Sequence, residues 1–229
     1  MNSINVSKTF CALAVVAAIA VANSANAAFI VPDSATAPFA NWSCTAPNSI
    51  YAEWNVFTSA LGGTNTPDVG QFGPATANLQ NTVPGAFLTG GGNIYSPTVA
   101  TDFDVTVPNY GYGAGYPTRV VAQVLTLGSP LDQNSMRLTY DDGNGNQTLL
   151  PNQVNERTAG TEWLFVWDIP NFNPATMLVE FAASTSSMSL DRFAVDTHAI
   201  PEPTTLVLVG LGLSVMACGQ RRRSDSAIL

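Results

Sequence analysis

The chain has 229 residues, 46% of them hydrophobic and only 10% charged, and its 16 acidic side chains outnumber the 8 basic ones to leave a formal net charge of −8. An acidic surface repels phosphate backbones, so nucleic acid is excluded as a partner, and the length leaves room for one sizeable domain. With 3 cysteines spread along the chain, a disulfide-stapled scaffold is excluded as well.

Residues 1–27 read as a secretory signal peptide. Lys8 supplies the positive charge, Phe10 to Val21 an apolar stretch, and Ala25-Asn26-Ala27 a small-residue cleavage site, so the mature chain is expected to begin at Ala28. Cys11 stands at the start of the apolar stretch rather than just after it, which argues against a lipoprotein signal.

Residues 28–199 make one unit with a core large enough to fold without staples. Cys44 is its only cysteine, so no intrachain disulfide is expected even in an oxidising compartment. The unit contains no lysine; besides His198, its basic residues are Arg119, Arg137, Arg157 and Arg192. Neither an internal repeat nor sustained helical spacing of apolar residues is visible. Short runs with period-2 alternation or β-branched and aromatic enrichment recur instead, separated by Gly, Pro, Asn and Asp: "SIYAEWNVFTS", "FDVTV", "TRVVAQVLTL", "MRLTY", "EWLFVWDI", "MLVEFAAS" and "SLDRFAVDT".

In "SIYAEWNVFTS", Trp54 shares a face with Ala52 and Val56 and is expected in the core. In "FDVTV", Phe103, Val105 and Val107 point one way and Asp104 and Thr106 the other, a strand with one wet face that favours antiparallel sheets. "MRLTYDDGNGNQTLLP" predicts two strands joined at Asp142-Gly143 or Asn144-Gly145, and "DIPNFNPATMLVEF" a longer connection that makes its two buried strands neighbours. In "EWLFVWD", Trp163, Phe165 and Trp167 have one parity and Leu164 and Val166 the other, so at least one set is core. In the last strand Met188 and Leu190 differ in parity from Phe193 and Val195, and a bulge near Asp191-Arg192 would bring all four to the core. Short strands at this spacing without crossover helices predict an all-β, antiparallel, jelly-roll-like β-sandwich.

Residues 200–229 form a separate tail. Its apolar stretch, about 204–219, would be about 24 Å long as a helix, somewhat under the ~30 Å hydrocarbon thickness, and predicts a single short transmembrane helix. Arg221, Arg222 and Arg223 follow and hold the C-terminus in the cytoplasm by the positive-inside rule, leaving residues 28–199 outside as an ectodomain. Pro201 and Pro203 keep the last strand from continuing into the helix, so Pro201-Glu202-Pro203 is an accessible, extended hinge at the membrane surface.

"PEP" at 201–203, a short Gly- and Leu-rich apolar stretch and a basic cluster together resemble the PEP-CTERM sorting signal of Gram-negative bacteria. The resemblance covers about thirty residues. It implies recognition by an exosortase, a membrane-embedded cysteine peptidase that cuts near the motif. Pro201, Glu202 and Pro203 match the motif and Arg221 to Arg223 its basic end; the extension "SDSAIL" departs from members that stop at the arginines. "YAEWNVFTSALGGTNTPDVG" and "SLDRFAVDT" resemble stretches of other exported proteins bearing this signal, which suggests a shared ectodomain type.

Catalytic chemistry is poorly provided for. A triad needs a packed base, and the one histidine, His198, reads as a solvated residue next to the tail. Cys44 has no electropositive setting in sequence, and zinc ligands are short. "DDGNGNQTLLPNQ" begins like an EF-hand loop with Asp142, Asn144 and Asn146, but Gln147 and Gln153 stand where glycine and glutamate are needed, so a hairpin is the better reading. A structural Ca²⁺ with Asp191 among its ligands would resemble carbohydrate-binding jelly rolls; no other cofactor is expected. Glu53, Glu162 and Glu180 offer carboxylates, yet no hydrolytic pair is identified by spacing, and Glu53 and Glu180 read as solvent-facing. Sugar binding needs exposed aromatic rings beside polar groups, and "PNYGYGAGYPTR" offers Tyr110, Tyr112, Tyr116 and Arg119 on a Gly-rich loop.

The expectation is an exported non-enzyme, transiently anchored in the inner membrane, handled by an exosortase and delivered to the cell surface or matrix. Its role would be structural or adhesive and linked to exopolysaccharide. The alternative is a carbohydrate-binding module with a defined glycan, and a third reading is a secreted glycan hydrolase.

Overall fold

The computed structural model describes residues 46–200, and every regular element among them is a β-strand. In chain order these are β1 (Ser49–Trp54), β2 (Val69–Phe72), β3 (Asn78–Asn81), β4 (Phe87–Leu88), β5 (Ile94–Tyr95), β6 (Asp102–Pro108), β7 (Gly113–Ala114), β8 (Thr118–Gly128), β9 (Leu131–Asp141), β10 (Asn146–Leu149), β11 (Gln153–Thr158), β12 (Glu162–Ile169), β13 (Phe172–Asn173), β14 (Thr176–Ala183) and β15 (Met188–Ala199). The signal peptide, Cys44, the sorting tripeptide, the apolar tail and the three terminal arginines lie outside the described residues.

The larger sheet runs β11-β12-β8-β15-β1-β2, with the β4–β5 hairpin added through β5 to β15; the smaller runs β10-β9-β14-β6-β3. A two-stranded ribbon, β7 with β13, closes one end. All the pairings are antiparallel. From β6 onward the long strands alternate between sheets: β6, β9 and β14 in the smaller, β8, β12 and β15 in the larger. That alternation makes a jelly-roll-like sandwich. It also corrects one expectation, since β12 and β14 belong to opposite sheets and are not sheet neighbours.

The two inner faces meet in one apolar core. Ile50, Ala52 and Trp54 of β1, Val120, Ala122 and Val124 of β8, and Phe165, Trp167 and Ile169 of β12 pack on it from the larger sheet. Phe103, Val105 and Val107 of β6, Leu138 of β9 and Val179 and Phe181 of β14 meet them from the smaller. Each fully buried side chain of this size contributes about 1.5–3 kcal/mol by leaving water. An aromatic column crosses the interface: Phe103 stacks on Phe181 at 4.9 Å, Phe181 on Phe193 at 5.2 Å, and Phe193 meets Trp54 at 5.7 Å.

The two sheets differ on their outer faces. In β6 and β14 buried residues alternate with half-exposed ones, the expected single wet face. In β1 every residue is buried, and in β12 all but Asp168, so both parities of "EWLFVWDI" are buried. Apolar residues on both parities are how a strand covered on both faces reads in sequence. Val56 lies beyond the end of β1 and is exposed, so it does not share the core with Trp54.

The register of β15 shifts against β8 between Leu190 and Arg192, and Met188, Leu190, Phe193 and Val195 all face the core. The extra residue of this bulge reconciles the two parities. The β9–β10 hairpin forms over Asp142-Gly143-Asn144-Gly145, with Asn146 opposite Asp141. Its turn is held by side chains: the Gly143 amide donates to Asp141 Oδ1 and the Asn144 amide to Asp142 Oδ1, both at 2.8 Å. At the other end, buried Asn65 organises the loop after β1. Its Oδ1 accepts from the amides of Thr58 and Ser59, its Nδ2 donates to the carbonyls of Ser59 and Leu79, and its own carbonyl accepts from Trp54 Nε1.

Candidate functional site

The end of the sandwich where β15 finishes gathers most of the candidate residues. The Ala199 amide donates to the Asn48 carbonyl at 3.0 Å and the Ile200 amide to the Pro117 carbonyl at 2.8 Å, so the chain is tied to the sandwich up to the residue before Pro201. Both acceptors flank the Gly-rich loop that carries the tyrosines or the turn that faces it.

That loop is built from its glycines. Gly111, Gly113 and Gly115 all have positive φ, and a Cβ on Gly111 would stand 2.9 Å from that of Ala175. The loop is anchored at both ends and in the middle: the Asn109 amide donates to the Ala175 carbonyl, the Tyr112 amide to Asn173 Oδ1, and the Gly115 amide to the Asn171 carbonyl. Buried Asn173 passes the restraint on, donating through Nδ2 to Thr118 Oγ1 at 2.8 Å. The short β7–β13 ribbon is the backbone part of the same clamp.

Held this way, three tyrosines stand together. Tyr110 and Tyr112 are stacked with ring centroids 5.5 Å apart and 9° between planes, and Tyr112 and Tyr116 lie 5.1 Å apart, tilted by 40°. They are 36%, 41% and 42% exposed, so part of each side chain stands in solvent. Tyr112 Oη donates to Asn48 Oδ1 at 2.6 Å and Tyr110 Oη to the Ser49 carbonyl at 3.4 Å, so the hydroxyls are turned towards the start of β1. Beside the loop a groove of about 380 Å³ opens between Gly111, Gly113, Asp141, Gly143, Phe172 and Thr176.

Arg119 is not part of this loop. It lies on β8, where its guanidinium pairs bidentately with Asp168 of β12, Nε to Oδ1 at 2.7 Å and Nη2 to Oδ2 at 3.0 Å. Asp191, at the bulge, accepts from Asn93 Nδ2 at 2.6 Å and so fastens the β4–β5 hairpin to β15. Among the described residues no three His, Cys, Asp or Glu side chains are grouped as a metal site.

Four side chains sit in surroundings not foreseen from the sequence. His198 is a strand residue of β15, half-buried, with Nδ1 2.8 Å from Ser49 Oγ, and burial lowers its pKa from the usual imidazole value. Glu53, expected at the solvent side, is buried; its carboxylate accepts from Tyr51 Oη and lies 3.7 Å from Arg192 Nε. Asp196 shares that outward parity, opposite Tyr51 in register, and is fully buried with no hydrogen-bond partner for either oxygen. Desolvation, with the neighbouring Glu53 carboxylate second, raises the Asp196 pKa well above the ordinary carboxylate value. Glu162 is likewise buried and bound, pairing with Arg157 at 2.5 Å.

Where the described chain leaves the sandwich, a family model named for the PEP-CTERM protein-sorting motif matches residues 199–223. Residues 199–223 are a PEP-CTERM protein-sorting motif. Such a motif marks an exported chain that is anchored at its C-terminus and handled by an exosortase. No curated protein matches the chain. Among solved structures it is similar to a family GH115 4-O-methyl-α-glucuronidase with specificity for decorated arabinogalactans (13% identity, 70% of this chain and 19% of that chain, TM-score 0.29). It is also similar to the enzymatically active domain of bacteriophage CBA120 tailspike protein 4 (13% identity, 67% and 20%, TM-score 0.27). A third is a carbohydrate-binding module, CBM28, specific for non-crystalline cellulose (9% identity, 63% and 83%, TM-score 0.25). The chain spans about a fifth of the length of the first two. No function passes to the present chain from likenesses of this size.

Proposed function

We propose that the chain is a cell-surface or extracellular matrix protein, exported, processed by an exosortase, and serving a structural or adhesive role in contact with exopolysaccharide. The observation that carries this reading is the junction at β15: hydrogen bonds hold the sandwich through Ile200, and the sorting tripeptide begins at the next residue. A cut near Pro203 would release the whole sandwich without removing any of its strands.

A non-enzymatic role is supported by how the carboxylates are used. Glu162 is bound to Arg157, Asp168 to Arg119 and Glu53 to Tyr51, and the one histidine is bonded to Ser49. A second reading, a glycan-binding module, is favoured by the cluster of three part-exposed tyrosines, since aromatic rings suit the apolar side of a pyranose. Once the tail is gone this surface would be open to exopolysaccharide.

Intact-mass spectrometry of the protein recovered from its native host tests the main reading. A mass running from Ala28 to near Pro203, with or without an added group, is expected; a mass running through Leu229 overturns it. Glycan binding lost on Tyr112→Ala, with folding retained, would favour the second reading.

A further inference from the structure

We infer that the tyrosine end of the sandwich is a membrane-interface surface: while the tail is anchored, Tyr110, Tyr112 and Tyr116 rest in the lipid headgroup layer and set the height of the Pro201-Glu202-Pro203 hinge above the bilayer. This rests on the anchoring role of the tail.

The reach of the chain supplies the first step. Ile200 is bonded to Pro117, the residue after Tyr116, and the tail's apolar run begins at Thr204. The four residue steps from Ile200 to Thr204, fully extended, span at most about 14 Å. The interfacial layer on each side of the hydrocarbon is itself roughly 5–8 Å thick. The exit point is therefore held close enough to that layer for a long side chain such as tyrosine to reach into it.

The chemistry of the exit point supplies the second. Tyrosine is enriched at membrane–water interfaces because its ring is apolar and its hydroxyl is not. Here the hydroxyls of Tyr110 and Tyr112 are turned to Ser49 and Asn48, while all three side chains stay part-exposed. Asn48 also accepts the Ala199 amide, so the platform and the exit of β15 are fixed to the same residue.

Charge decides how such a surface binds. Asp141 and Asp142 stand on the hairpin across the groove, and residues 28–199 contain no lysine. Anionic headgroups would repel this end, so the contact is made by rings and does not need acidic lipid. Tethering by the tail makes a weak ring contact sufficient, because docking becomes an intramolecular event.

The test is hydroxyl-radical footprinting, read by mass spectrometry, of the full chain in phosphatidylcholine nanodiscs and of the same chain after proteolytic removal of the tail. Phe87, half exposed on β4 at the opposite end of β15, is the internal control. The expected result is several-fold slower oxidation of Tyr110, Tyr112 and Tyr116 in the nanodisc with Phe87 unchanged. Equal oxidation of the tyrosines in both states overturns the inference. So does free oxidation in the nanodisc combined with shielding by added exopolysaccharide, which would make the loop a glycan site only. Loss of the footprint leaves the mass measurement of tail removal unaffected, so the two readings fail separately.

Discussion

Replacing Asp196 by asparagine should stabilise the protein, and by an amount that depends on pH. The carboxyl is fully buried on β15, neither oxygen has a hydrogen-bond partner, and Glu53 is its charged neighbour. A carboxyl whose pKa is raised by folding takes up a proton as the chain folds. Its contribution is therefore most favourable below the unfolded pKa of about 3.9 and is lost progressively as the pH rises towards the folded value. Asparagine has nearly the same shape and never acquires the charge. The cost of an unpaired buried polar group falls on both side chains and cancels; a charged group costs more, and Asp196→Asn should gain that excess, on the order of 1–3 kcal/mol near neutral pH and little near pH 4. For a domain of this size that is roughly a 2–12 °C rise in Tm. Urea denaturation of both proteins across that pH range is the assay. If the two curves run parallel at all pH values, Asp196 is not a desolvated carboxyl and the reasoning fails.

Truncating the aromatic column with Phe181→Ala should cost about 3–5 kcal/mol in urea unfolding with an unchanged m-value, since the ring stacks on Phe103 of its own sheet and Phe193 of the other; a loss within experimental scatter would mean that the sheets can close over the gap. Asn65→Ala removes the side-chain acceptor of two amides and the donor to two carbonyls. It should destabilise by at least about 2 kcal/mol, and hydrogen exchange should report opening of residues 55–65 before the rest of the fold. Glu202→Ala should leave export across the inner membrane intact and block release, seen as full-length protein retained in the membrane fraction of the native host; unchanged release would contradict exosortase handling of this motif.

How legible these features were depended on whether a side chain announces its environment by pattern or only by partner. The bulge in β15 was readable because a change of parity between Leu190 and Phe193 has one simple structural remedy. The β9–β10 turn was readable because Asp-Gly and Asn-Gly supply both the positive φ and the side-chain acceptors a tight connection needs. The opposite-sheet placement of β12 and β14 was not, because residues 170–175 can lead either back along a sheet or across to the other. Glu53 and Asp196 carry the alternation of solvent-facing residues, and only the packing around them shows that they are buried. Arg119 follows the tyrosine loop in sequence, but its first structural commitment is to Asp168, forty-nine residues later. Asn65 lies in a loop with no period at all, so nothing in the sequence distinguishes it from an ordinary turn residue.

The place of β15 has a consequence for the order of events during export. It lies between β1 and β8 at the centre of the larger sheet and also carries the β4–β5 hairpin, yet it is the last strand before the sorting motif. Until those residues have crossed the membrane, the larger sheet has a vacancy at its middle and the core aromatics on either side have no lid. On the proposed export from the N-terminal end, the sandwich can close only once β15, its last strand, is available. On that reading, closure of the sandwich and arrival of the sorting motif at the membrane coincide.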